Sequence, residues 1–181
     1  MTTIVWFRRD LRISDNAALA EAAKRGAVLP VYILDEDADA DSRGTDVQAG
    51  TRAPRSIGGA SRWWLHHSLS ALRADLGDIL LMRGRPADVL PAVIAASGTR
   101  AVYWSRCYEP ETVERDRALK ASLLQSGVEV VSFPGSVLNE PWDVLGASGK
   151  PYEVFTPYWR ACRSRPFADP VRHLRPRSGD G

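Results

Sequence analysis

The sequence predicts an α/β fold: a doubly wound, five-stranded parallel sheet in the order 3-2-1-4-5, with helices on both faces and an irregular C-terminal tail. Three observations predict it. Short apolar runs alternate with stretches of helical periodicity through the first 133 residues, which implies right-handed βαβ crossovers. The apolar runs are near-continuous rather than alternating, as in strands buried on both faces. The first run, Ile4-Val5-Trp6-Phe7, stops abruptly at Arg8, Arg9, Asp10 and Arg12. Charges that dense at a strand's carboxyl end sit at a crevice, because a sheet interior does not tolerate them unpaired.

The elements follow in order. Thr3 to Phe7 reads as the first strand. Asn16 to Arg25 reads as a helix, with Ser14 or Asp15 as its cap and Gly26 past its end. Val28 to Leu34 is a second strand ending at Asp35. Residues 36–57 are polar and read as a long loop, a length often associated with function or mobility. Residues 59–76 are helical, with Leu65, Leu69, Leu72 and Leu76 on one face. Ile79 to Met82 is a third strand, and Pro86 opens a helix to about Ser97. Ala101 to Trp104 is a fourth strand. Pro110 opens a helix to about Ser126 that carries the acid-first pairs Glu111–Arg115 and Asp116–Lys120. Val128 to Phe133 is the fifth strand. Residues 134–181 are proline-rich, with one short helix near Val154 to Cys162, and are too short for a core of their own.

Composition narrows the function classes. Of 181 residues, 44% are hydrophobic and 25% charged, ordinary for a globular domain, and the formal net charge of +2 gives no global field for nucleic acid. Six arginines crowd the tail (Arg160, Arg163, Arg165, Arg172, Arg175 and Arg177), and read as linker residues packing on another domain in preference to phosphate contacts. Two cysteines without metal-type spacing make a disulfide scaffold or a metal site unlikely and a reducing cytoplasm the expectation. Charges interrupt any N-terminal leader, and no apolar run reaches the ~18 residues of a membrane span.

Chemistry should sit where the winding reverses, between the first and fourth strands. The segments there are Arg8-Arg9-Asp10 and Ser105-Arg106-Cys107-Tyr108-Glu109. No glycine-rich dinucleotide loop or Walker loop follows the first strand, which disfavours a dehydrogenase. Gly58-Gly59 reads as a hinge. His66-His67 point about 100° apart on a helix and cannot chelate one ion together. Cys107 reads as a small crevice residue rather than a nucleophile. Glu109, held extended by Pro110, reads equally as a site carboxylate and as a helix cap. Only one of Trp63 and Trp64 should face inward, leaving the other to pack on a flat ligand or a partner domain.

Three segments carry a family resemblance. They are Trp6 to Arg12 with Asp15-Asn16; Tyr103-Trp104 with Tyr108-Glu109-Pro110 and Arg115-Asp116; and Gly149-Lys150-Pro151-Tyr152 with Val154 to Arg160. Together they resemble the N-terminal α/β domain of the DNA photolyase/cryptochrome family over nearly the whole chain. The resemblance implies an antenna-chromophore domain at 1–133 and the start of an interdomain linker at 134–181. It implies that the antenna passes excitation to FAD in a helical domain absent from this chain, and that light-driven electron transfer from FAD there repairs pyrimidine dimers in UV-damaged DNA. This chain alone is then not expected to be active, and no catalytic residue is assigned to it. The implied antenna-binding residues are Arg8, Arg9, Asp10, Cys107 and Glu109, with Asp35 and Arg62 as weaker candidates. Folate-type relatives carry an Asn-Glu pair where this chain has Glu111-Thr112, so deazaflavin is favoured over folate or flavin. Deazaflavin-type relatives often carry an aspartate where this chain has Cys107. The implied partners are the helical FAD-binding domain and, through it, damaged DNA; the full-length protein is expected to be a cytoplasmic monomer. The rival readings are a free-standing flavin- or nucleotide-binding signalling module of cryptochrome type and a non-functional truncation.

Overall fold

The computed structural model describes residues 1–35, 57–166 and 169–171. The loop read over 36–57 therefore lies, but for Ile57, outside the described residues, as do His173 and three arginines of the tail. The elements are β1 (Thr2–Phe7), α1 (Ala17–Arg25), β2 (Ala27–Leu34), α2 (Gly59–Leu76), β3 (Leu80–Arg83), α3 (Pro86–Ser97), β4 (Ala101–Ser105), α4 (Pro110–Gln125), β5 (Glu129–Phe133) and α5 (Phe155–Arg163). All five strands are parallel, in the order β3-β2-β1-β4-β5. Sheet order and, among the described residues through 133, element order are those read from the sequence.

β1 is the central strand, and side-chain alternation along it feeds two cores. Ile4 and Trp6 point to the face covered by α3 and α4, where they meet Val102, Trp104, Leu90, Val93, Leu119 and Leu123. Val5 and Phe7 point to the face covered by α1 and α2, where they meet Tyr103, Leu19, Leu72 and Leu76. Trp6 and Trp104 meet edge to face at 5.6 Å on adjacent strands. Pro30 sits in β2 opposite Val5, one residue before pairing with β3 begins at Val31. Its missing N–H therefore costs no bond to that neighbour.

Three local readings change. The cap of α1 is Asn16, neither Ser14 nor Asp15: its side chain accepts from the Leu19 N–H at 3.0 Å. Asp15 instead takes a left-handed turn, φ 48°. β3 is not buried on both faces, for it is an edge strand with Leu80 and Leu81 substantially exposed. On α4 the pairs Glu111–Arg115 and Asp116–Lys120 do not form; Arg115 and Asp116 turn to the strand ends, as described below.

Candidate functional site

The β1–α1 loop, Arg8 to Arg12, stands at the carboxyl end of the sheet as a partition with a crevice on each side. Toward β4, a crevice of about 370 Å³ is lined by Arg9, Asp10, Arg12, Ser105, Arg106, Cys107, Tyr108, Glu109, Gly135 and Ser136. Toward β2 and α2, one of about 520 Å³ is lined by Arg8, Arg9, Leu11, Arg12, Tyr32, Ile57, Ser61, Trp64, Leu65 and Ser68. Both volumes fall within the range of small-ligand sites.

The two differ in chemistry: several polar groups of the first are bonded to one another, while the Tyr108 hydroxyl and Glu109 Oε2 are buried without a partner among the described residues. Asp10 is buried and accepts from the Arg8 N–H at 3.1 Å, the Asn16 amide at 3.2 Å and the Ser105 hydroxyl at 2.6 Å. It is a clasp between the loop, α1 and β4 rather than an open acid. Arg9 reaches across the crevice mouth to Glu109 in an exposed ion pair. Glu109 occupies the cap position of α4 but makes no side-chain cap bond, so the bond to Arg9 takes precedence over capping. Burial works to raise the Glu109 carboxyl, yet nearby backbone N–H groups and Arg9 outweigh it and hold the group below the usual range. Arg12 donates to the carbonyls of Ser14, Asp15 and Gly135. Arg106 is held by Glu140 at 2.7 Å and by Ser132, and lies over the Trp142 ring. Burial pushes the Cys107 thiol up, against the pull of Arg8, so it stays protonated at neutral pH and is no nucleophile.

The second crevice is aromatic and apolar, with a cationic rim. Its outer wall is the first half of α2. Ser61, Trp64, Leu65 and Ser68 recur at helical spacing and continue the stripe that Leu72 and Leu76 bury in the core. Trp64 is 69% exposed and Trp63 61%. Neither faces the core, contrary to the expectation for one of them; on this helix Leu65, Leu69, Leu72 and Leu76 make the core-facing stripe. Tyr32 supplies a phenol that burial, with Asp35 nearby, pushes up, so it remains a neutral donor.

Of the sequence candidates, Arg9, Asp10, Cys107 and Glu109 line the first crevice and Arg8 the second, with Arg9 shared. Asp35 lines neither and is bonded to Arg115. Arg62 lies in the first turn of α2 and also lines neither. Sequence reading did not reach Tyr32, Ser61, Leu65 and Ser68. Serines set among leucines on one helical stripe were the available signal for that wall.

A doubly wound domain with paired crevices at the carboxyl end of its sheet belongs to the class of open α/β domains, whose ligand sites lie outside the carboxyl ends of the strands. The family model for DNA photolyase matches residues 3–175, and the chain belongs to that family. It is 42% identical over 163 residues to the deoxyribodipyrimidine photo-lyase of Agrobacterium fabrum, covering 87% of this chain and 31% of that relative. It is 37% identical over 167 residues to cryptochrome-2 of Arabidopsis thaliana, covering 88% of this chain and 25% of that relative. The crystal structure of a class III photolyase from Agrobacterium tumefaciens superposes with a TM-score of 0.77 at 37% identity, over 99% of this chain and 37% of that one. The chain thus spans about a third or less of the length of these relatives.

Proposed function

We propose that this chain is the light-harvesting domain of a deoxyribodipyrimidine photolyase and holds its antenna chromophore in the crevice between the Arg8–Arg12 loop and α2. The observation that carries the reading is the aromatic crevice itself. Trp64 and Tyr32 offer ring surfaces, Leu11, Leu65 and Ile57 offer apolar contact, and Arg8, Arg9 and Arg12, though bonded within the chain, place positive charge beside any ring carbonyl or acidic side chain of the ligand. A tricyclic chromophore fits this chemistry. Deazaflavin is favoured over folate because Glu111-Thr112 stands where folate-type relatives carry Asn-Glu. In this reading the described lining residues bind and orient the chromophore. In the full-length protein, FAD in a helical domain would supply the electron that splits a pyrimidine dimer in DNA.

Residues 134–171 are the proposed connection to that domain. They present Trp142, Phe155, Tyr158 and Trp159 on their surface, with Phe155 and Trp159 stacked 9° from parallel. Aromatic area of this kind suits burial against a partner domain. No helix among the described residues is long and apolar enough to cross a membrane. Cys107 and Cys162 are free thiols, in keeping with the proposed reducing cytoplasm, where we propose that the full-length protein works as a monomer.

The test is an absorption and fluorescence titration of the purified chain with 8-hydroxy-5-deazariboflavin, methenyltetrahydrofolate and FMN. The deazaflavin should bind tightest, and Trp64→Ala should weaken it about tenfold, since an aromatic stacking partner contributes on the order of 1 kcal/mol beyond its area. Failure of all three to bind, or equal binding by the Trp64→Ala chain, would overturn the reading.

A further inference from the structure

Four charged side chains of alternating sign cross the strand ends beneath the crevices. Asp35, after β2, pairs with Arg115 of α4. The Arg115 guanidinium also reaches Asp116 Oδ1 at 3.2 Å. The other oxygen of that carboxylate, Oδ2, takes Arg8 at 2.5 Å. Arg8 donates as well to the Ser105 carbonyl at the end of β4. The chain of charges therefore links β2, α4, β1 and β4. Its last two members are well buried: the Arg8 side chain is 7% exposed and that of Asp116 13%. Arg8 Nε is buried and makes no hydrogen bond. Both guanidinium groups lie over one indole, with Arg8 at 4.7 Å and Arg115 at 5.6 Å from the Trp6 ring centroid.

We propose that Arg115, which lines neither crevice, positions Arg8 in the wall of the aromatic crevice through the shared carboxylate of Asp116. Arg8 is long and could adopt many rotamers, and two contacts select one. The Ser105 carbonyl is fixed by the strand. The Asp116 carboxylate is not, since a carboxylate bonded at one oxygen can still swing. Arg115 occupies the second oxygen and is itself held at its far end by Asp35, so the carboxylate cannot turn. The planar fork of arginine can bond two carboxylates at once, which a lysine ammonium on a flexible stem does less well. Arg115 also balances charge: without it, Asp35 and Asp116 keep two negative charges near a single buried guanidinium. Arg115 is thus a positioning residue, acting on any ligand of the crevice only through Arg8.

Use of Arg8 by a ligand rests on the antenna reading above; the positioning itself does not, and the experiment separates the two. The protein is labelled with 5-fluorotryptophan, and the Trp6 fluorine signal is assigned by its loss in Trp6→Phe. The side-chain nitrogen and hydrogen signals of Arg8 are followed in parallel. In the parent chain without ligand, the Arg8 guanidinium should give slowly exchanging signals. In Arg115→Leu these should broaden or exchange faster and the Trp6 fluorine should shift, while far-ultraviolet dichroism stays that of the parent. Arg115→Lys should rescue only part of both effects. With 8-hydroxy-5-deazariboflavin as the titrant, Arg115→Leu should bind about tenfold more weakly, the scale of losing one well-made charge-assisted hydrogen bond. Unchanged Arg8 signals in Arg115→Leu would overturn the positioning role, whatever the titrant does. Changed Arg8 signals in a protein whose parent form binds no chromophore would retain that role and sink the antenna reading instead.

Discussion

Asp10 shows how one residue's chemistry is decided by its neighbours. As sequence it was a candidate ligand, an acid among arginines at a strand end. In the fold three donors from β1, α1 and β4 saturate it, so its contribution is to the shape of the loop. Asp10→Ala would leave the buried Ser105 hydroxyl and the Arg8 N–H without this acceptor, while the Asn16 amide keeps the Arg12 carbonyl at 3.2 Å. An unsatisfied buried group costs about 1–3 kcal/mol, so the variant should lose about 3 kcal/mol in a urea unfolding series. A midpoint equal to the parent's would show that the clasp contributes nothing. Residues of this kind explain the limit of sequence reading. Arg8, Arg9 and Asp10 were legible as a group at the crevice, but their partners Asp116, Glu109 and Ser105 lie about a hundred residues on. The sign of a charge says nothing of which distant charge it meets. Arg115 and Asp116 illustrate this on a helix: their i+4 spacing satisfied a local rule, and the strand ends offered deeper burial and better geometry.

Elements were more legible than side chains, because each is set by nearby residues. Pro86 and Pro110 start helices, and Gly98 ends one in a left-handed turn, φ 63°. Near-continuous apolar runs mark the strands. What local pattern misses is where burial ends. Along α2 burial falls toward the N-terminus, so one stripe is core at Leu72 and Leu76, both core contact and crevice wall at Leu65, and crevice wall at Trp64. β3 is read with the right composition but at the sheet's edge, where composition no longer implies burial. The connection after β5 is fixed by a close approach. A Cβ on Gly135 would stand 2.6 Å from that of Ser105, and its carbonyl accepts from Arg12 at 3.1 Å. Gly135→Ala should destabilise by about 2 kcal/mol through overpacking. Ser105→Gly in the same chain should recover at least ~0.5 kcal/mol of that loss as a non-additive term, measured by a double-mutant cycle. Strict additivity would mean that the segment can move aside.

For the molecule as a whole, the described residues after β5, 134–166 and 169–171, run as a belt along the domain. The belt leaves the sheet at Gly135, is held by Arg106 at Glu140, and returns to the β1–α1 loop, where the Val171 N–H meets Asp15 at 2.9 Å. Its exposed aromatics are independent of the core beneath. Replacing Phe155 and Trp159 together by Glu should leave the thermal midpoint of this chain within about 2 °C of the parent, as surface changes away from the core do. In the full-length protein the same change should lower the midpoint instead, through lost packing on the helical domain; no change there would remove these residues from that interface. The central place of β1 has a consequence in time. Ile4 and Trp6 are made first, yet their second neighbours, Val102 and Trp104, emerge from the ribosome much later. Until then β1 can be flanked only by β2, and the partition loop has no β4 to clasp. Closing so long a loop is a late and entropically costly event, so the sheet is completed and the crevices take shape in one step. A nascent or partly unfolded chain should therefore have no chromophore affinity of its own, and ligand would be taken up only after the last central strand is in place.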